Sequence, residues 1–154
     1  MYHNKHSVLK VAGICLLFLF YLSVSSNVYA GTDSDEKFQL GKEQYAAGKY
    51  DAAIKAFTDA LRLAPDISSY HHWLGKSYGQ MAEHAGIFTA YKLSQKTRQE
   101  LERAVELDNS NIAALSDLME YYQRAPVFLG GGQEKADKIS NRLHELKHPE
   151  PEHI

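Results

Sequence analysis

Cysteine is nearly absent: Cys15 is the only one in 154 residues, and it sits inside an apolar stretch near the amino terminus. Everything after that stretch lacks a thiol, so it cannot form a disulfide, ligate a metal through sulfur or use a thiol nucleophile. A lipid-bearing cysteine follows an apolar stretch and a small residue; Ile14 precedes Cys15, which argues against lipidation. An excess of positive charge is also missing. Seventeen Lys and Arg residues stand against 19 Asp and Glu, without a basic block. That balance leaves no electrostatic footprint for nucleic acid or for a membrane surface. A long apolar run is missing as well, since Val11 to Val24 gives way to Ser25, Ser26 and Asn27. A membrane-crossing helix needs about 20 apolar residues. Finally, there is no G-x-S-x-G elbow, and no serine is placed beside both a base and an oxyanion donor.

What the amino terminus does have is the layout of a secretory leader. Lys5 and Lys10 precede the apolar run, and Val28-Tyr29-Ala30 supplies the small residues that a signal peptidase needs. The expectation is cleavage after Ala30 and export, with an uncleaved anchor as the alternative. Loss of Lys5 and Lys10 leaves 15 basic and 19 acidic residues, a net charge of −4 with histidines neutral. The absence of cysteine is compatible with an oxidising compartment.

Repetition organises the rest. The segment KFQLGKEQYAAGKYDAAIKAFTDALRLAPD, from Lys37 to Asp66, places small residues where two antiparallel helices must approach closely: Gly41, Ala53 and Ala60. Leu40, Tyr45, Phe57 and Leu61 surround that contact at helical spacing. Gly48 falls where a helix ends with positive φ, and Pro65 where the next helix must stop. A second copy starts near Ser68: Trp73-Leu74-Gly75 and Tyr78 restate its first helix, Leu101, Ala104 and Leu107 the end of its second. A third, more divergent copy starts at Ile112, with Leu115, Leu118, Tyr121 and Tyr122, then Ala136, Ile139, Leu143 and Leu146.

Leu40-Gly41, Gly48, Tyr50, Ala53, Phe57, Ala60 and Pro65 agree in order with the consensus of the tetratricopeptide repeat, and the chain closely resembles that family. The resemblance implies an all-α fold of three helix-turn-helix repeats in a right-handed superhelical stack. The expected division is a leader over residues 1–30, repeats at about 34–67, 68–111 and 112–149, and a flexible tail over 150–154. The second copy runs about ten residues past the usual period of roughly 34. His84 to Gln95 carries the excess, expected as a helix projecting beyond the stack. The third copy has a long connection, Ala125-Pro126-Val127-Phe128-Leu129-Gly130-Gly131-Gly132. A long second repeat followed by such a loop resembles a group of exported bacterial repeat proteins, which informs architecture more than function. Ile87, Phe88, Tyr91 and Leu93, with Val127, Phe128 and Leu129, are expected to pack together as a satellite core; left exposed, they would mark an interface.

In such a stack the first helices line a concave groove. The repeat register assigns to it Phe38, Lys42 and Tyr45, then His72, Lys76 and Gln80, then Ser116, Glu120, Gln123 and Arg124. Lys42 and Lys76, one repeat apart, join Tyr45, His72 and Arg124 in a mildly basic, partly aromatic strip. That strip suits an extended peptide or acidic segment, with aromatic contacts supplying affinity and lysines steering. The alternative is that the lysines are merely solvated and Tyr45 is half-packed. The carboxylate clamp known in the family needs asparagine where Lys42 stands, so that recognition is not implied.

Two motifs suggest other chemistry. His144-Glu145-Leu146-Lys147-His148 matches H-E-x-x-H, whose histidines share a helix face and can grip zinc while the glutamate activates water. A catalytic zinc also needs a third ligand. Ile154 occupies the position where the extended signature has histidine, with His153 one place early. Solvated histidines on a final repeat helix, with Leu143 and Leu146 inward, are the plainer reading. Gly130–Gly132 precede a helix whose amides could hold an anion, but Gln133-Glu134 follow instead of Lys-Ser/Thr, so a flexible turn is favoured. Adjacent His71 and His72 point about 100° apart on a helix and do not easily share a metal.

These observations together predict a non-enzymatic scaffold or assembly factor in a bacterial periplasm or beyond it. It binds a protein or extended peptide, needs no cofactor and takes no nucleic acid. It keeps no membrane insertion after leader cleavage, and homo-oligomers are possible. A zinc-dependent hydrolase or metal-binding protein using His144 and His148, and a self-assembling structural protein, are the alternatives.

Overall fold

A computed structural model of the chain describes residues 33–148. The leader with Cys15, the residues after His148 and hence His153 and Ile154 lie outside the described residues. Among the described residues the backbone forms six α-helices and one 3-10 turn, and there is no strand. Residues 33–46 are helical and form α1. Then come α2 (Tyr50–Leu63), α3 (Ser68–Glu83), α4 (Ile87–Leu107), α5 (Ile112–Arg124), the 3-10 turn (Val127–Leu129) and α6 (Gln133–Lys147).

Local chemistry sets the boundaries. Gly48 takes φ +71°, a left-handed conformation that strains residues with a Cβ, and its N–H donates to Tyr45 O at 2.9 Å. Lys49 N–H similarly reaches Gln44 O, so the α1–α2 turn closes within three residues. The α2 ladder ends at Leu63, two residues before Pro65. Ala85-Gly86 separates α3 from α4, with Gly86 extended at the α4 N-cap. Asn111 caps α5 through its side chain, which accepts from Ala114 N–H at 3.1 Å. The same Asn111 donates to Ser68 Oγ (2.9 Å), and Ser68 Oγ donates to Ala104 O (2.8 Å). Three helix ends, from α3, α4 and α5, are thereby tied together.

The helices stack as antiparallel pairs. In the first pair Gly41 faces the Phe57 ring so closely that no Cβ fits between them. Ala53, Phe57 and Ala60 are fully buried behind it. The first core cluster extends from Ala53 and Phe57 to Leu74, with Phe38, Tyr45 and Trp73 at its edge. In the second pair Gly75 packs on Leu101, and the second cluster joins Leu101 to Leu118, Tyr122 and Ala136 of the third pair. Burying one Leu or Phe side chain contributes about 1.5–3 kcal/mol, so these two clusters set the spacing of the stack.

Two expectations need correction. Leu40 is 43% exposed and points away from the Gly41–Phe57 contact. Only a helix face about 100° wide can meet the partner helix, and Gly41 and Tyr45 occupy it. The satellite core does not form: Ile87, Phe88, Val127 and Phe128 are 73–85% exposed, and Tyr91 is 43% exposed. Of that set only Leu93 is buried, against the stack itself. The triple-glycine connection is a turn, as expected, with positive φ at Gly130 and Gly132, and hydrogen bonds close it. Gly132 N–H donates to Tyr122 O at 2.8 Å, Gly131 N–H to Pro126 O, and the Tyr121 hydroxyl to Leu129 O at 3.0 Å. A Cβ on Gly131 would overlap the Ala125 carbonyl.

Candidate functional site

The groove is built from α1, α3 and α5. Phe38 of α1 stacks on Tyr70 of α3, with centroids 4.6 Å apart. Tyr45 meets the Trp73 edge at 5.2 Å, with planes at 88°. Aromatic pairs of this kind add about 0.5–1.5 kcal/mol beyond area burial, so the rings lock α1 to α3 before any partner arrives. Two lysines lie over this aromatic floor. Lys42 Nζ is 5.6 Å from the Phe38 centroid and 5.9 Å from Trp73; Lys76 Nζ is 5.3 Å from Trp73 and 6.0 Å from Tyr45. Such contacts favour the cation by about 0.5–1 kcal/mol at exposed sites.

Toward the C-terminal ends of α3 and α5 the groove deepens into a pocket of about 480 Å³. Gly79 and Ala82 leave space on α3, while Tyr45, Gln80, Tyr121 and Arg124 stand around it. Its far wall comes from Ser94 and Thr97 on α4, and from Pro126 and Leu129 beside the 3-10 turn. The lengthened α4 and the long third-pair connection therefore wall a cavity together, with Arg98 of α4 close against Gly130. Gln80 is oriented by Tyr50, whose hydroxyl donates to its Oε1 at 3.1 Å.

Asp117 organises the charges. It accepts from His72 Nε2 at 2.7 Å and lies 3.5 Å from Lys76 Nζ. Burial alone raises the Asp117 carboxyl, but the His72 hydrogen bond and the Lys76 charge outweigh it and hold it below the usual carboxylate range. Burial also raises the Tyr45 phenol, helped by the nearby Tyr50, Asp117 and Glu83.

Of the residues assigned to the groove from sequence, the structure brings Tyr45, Lys76, Gln80, Glu120 and Arg124 to the pocket. Phe38 and Lys42 lie on the adjoining aromatic floor. His72 is 5% exposed and bonded to Asp117, so it braces the wall from beneath. Ser116 bonds back to Ile112 O, and Gln123 is exposed. The basic strip is also corrected: Lys76 is matched by Asp117 and Arg124 by Glu120 at 2.9 Å. Asp117 and Glu83 were absent from the sequence assignment. The available signal was that Asp117, Glu120 and Arg124 recur at helical spacing on one face of α5. Nothing in the register pointed to Ser94, Thr97 or Leu129, which come from the elements outside the repeat period.

The H-E-x-x-H motif lies on the exposed side of α6. Its histidine rings are 4.8 Å apart, and Glu145 pairs with Arg142 at 3.1 Å. Leu143 is buried while His144, Glu145 and His148 are exposed. Among the described residues no group of three His, Cys, Asp or Glu could hold a metal. His71 faces α4, with Nδ1 2.7 Å from Glu100 and Nε2 2.8 Å from Pro65 O.

No protein-family model matches the chain, and no curated protein matches it. Solved structures do. The first TPR of Spaghetti (RPAP3) bound to the HSP90 peptide SRMEEVD superposes with a TM-score of 0.60 at 20% identity, covering 77% of this chain and 84% of that one. The second TPR of the same protein, bound to the same peptide, gives 0.59 at 14% identity, covering 80% and 96%. With its three stacked helix pairs and all-helical backbone, the chain has the tetratricopeptide-repeat fold.

Proposed function

We propose that the chain is a protein-binding scaffold or assembly factor of the bacterial cell envelope, holding an extended peptide segment of its partner in the α1–α3–α5 groove. The observation that carries this is the continuous floor of Phe38, Tyr45 and Trp73, which leads under Lys42 and Lys76 into the pocket. Flat aromatic faces give contact area at low entropic cost, which suits recognition of a chain laid across them. The likeness to repeat domains bound to a peptide supports the same reading. Export rests on the leader, with Lys5, Lys10, the apolar run and Val28-Tyr29-Ala30.

The test is crosslinking capture from the envelope fraction of the source cells, comparing the tagged protein with a Lys42→Glu/Tyr45→Ser variant. The specific partner should drop at least about tenfold, the change that ~1.4 kcal/mol produces. Circular dichroism of both baits checks that the variant is folded. The same proteins captured at equal yield would end the groove reading.

A further inference from the structure

The pocket at the end of the groove has a polarity of its own. Its charged lining is Lys76, Glu83, Asp117, Glu120 and Arg124, three carboxylates against two cations. Both cations are already engaged within the pocket, Lys76 by Asp117 and Arg124 by Glu120. Glu83 is the charged lining group that has no ion pair among the described residues. It is also the last residue of α3, and Arg124 is the last of α5, so two carbonyl-bearing helix ends meet here. Such ends carry partial negative charge and favour a cation. Tyr45 and Tyr121 line the same space, and phenol faces attract a cation through their ring electrons.

We propose that this pocket takes one cationic side chain, an arginine or lysine, from the peptide segment bound in the groove; the inference rests on the groove reading above. The guest's charge pairs with Glu83, and its aliphatic stem lies between the two tyrosines. An acidic side chain would instead meet Glu83 and the two carboxylates already paired with Lys76 and Arg124. The acidic preference suggested by Lys42 and Lys76 in the sequence is thereby reversed at this end of the groove.

The test is to pan a random-peptide display library on the immobilised protein and measure affinities of the selected peptides. They should share a Lys or Arg at one fixed place, and changing it to Gln should weaken binding about tenfold. With Glu83→Gln, an exposed helix-end change, that difference should shrink below about twofold. Peptides anchored by an acidic side chain or free carboxylate, or a Lys/Arg→Gln difference unchanged by Glu83→Gln, would overturn the proposal and leave the groove reading standing. Selected peptides that bind the Lys42→Glu/Tyr45→Ser protein equally well would remove the groove reading and this one with it.

Discussion

At the scale of single residues, His71 carries the clearest electrostatic consequence. Both of its ring nitrogens face acceptors, Glu100 Oε2 at 2.7 Å and Pro65 O at 2.8 Å, so both need a proton. Burial lowers its pKa, but the bonds to Glu100 and to the Pro65 carbonyl outweigh it and raise it above the ordinary 6.5. A group with a raised folded pKa stabilises fully below its unfolded value and loses that stabilisation as pH rises through the folded one. The urea midpoint of the protein should therefore fall relative to that of His71→Gln as pH rises above the ordinary imidazole value of 6.5. A pH-independent difference between the two proteins would show that the imidazolium is not needed. Legibility at this scale was uneven. Lys42 and Tyr45 followed from repeat register, because their positions are set by the Gly41–Phe57 contact one turn away. His72 and Asp117 did not, because their roles come from each other across 45 residues of sequence. Spacing within one helix holds no record of such a pair.

At the scale of elements, α4 joins the halves of the fold. It has 21 residues against 14 in α2, about two turns more. Its Leu101 is 2% exposed, packing on Gly75 within its own pair and on the cluster containing Leu118 and Tyr122 of the next. Leu101→Ala should cost about 2–5 kcal/mol in chemical denaturation, because neighbours on two repeats cannot both collapse into the space. Leu40→Ala is the control: at a site 43% exposed it should change stability by about 0.5 kcal/mol or less. Equal losses at both positions would contradict the packing described. The helices themselves were legible, since period, small-residue contacts, Gly48 and Pro65 all agree. The destination of the extra turns was not. Apolar composition in Ile87, Phe88, Val127 and Phe128 reads as core, yet the fold leaves these side chains 73–85% exposed.

At the scale of the whole molecule, those same side chains leave apolar surface on both insertions. Replacing Ile87, Phe88, Val127 and Phe128 together by Ser should lower binding of a hydrophobic dye while shifting stability by no more than about 0.5 kcal/mol per site. A large fall in the thermal midpoint would restore the satellite core. The stack also has the mechanics of a row in which each pair touches only its neighbours. Rows of that kind come apart from the ends, and the joint between the second and third pairs is where α6 and α5 would separate from the rest. The pocket straddles that joint, drawing Gln80 and Thr97 from one side and Tyr121 and Leu129 from the other. A guest seated there acts as a rivet: it couples the melting of the last pair to that of the middle one. Occupancy would then show in the shape of the unfolding curve, which should steepen as the guest approaches saturation, because the guest holds the two pairs together only to the extent that it binds them joined more tightly than apart.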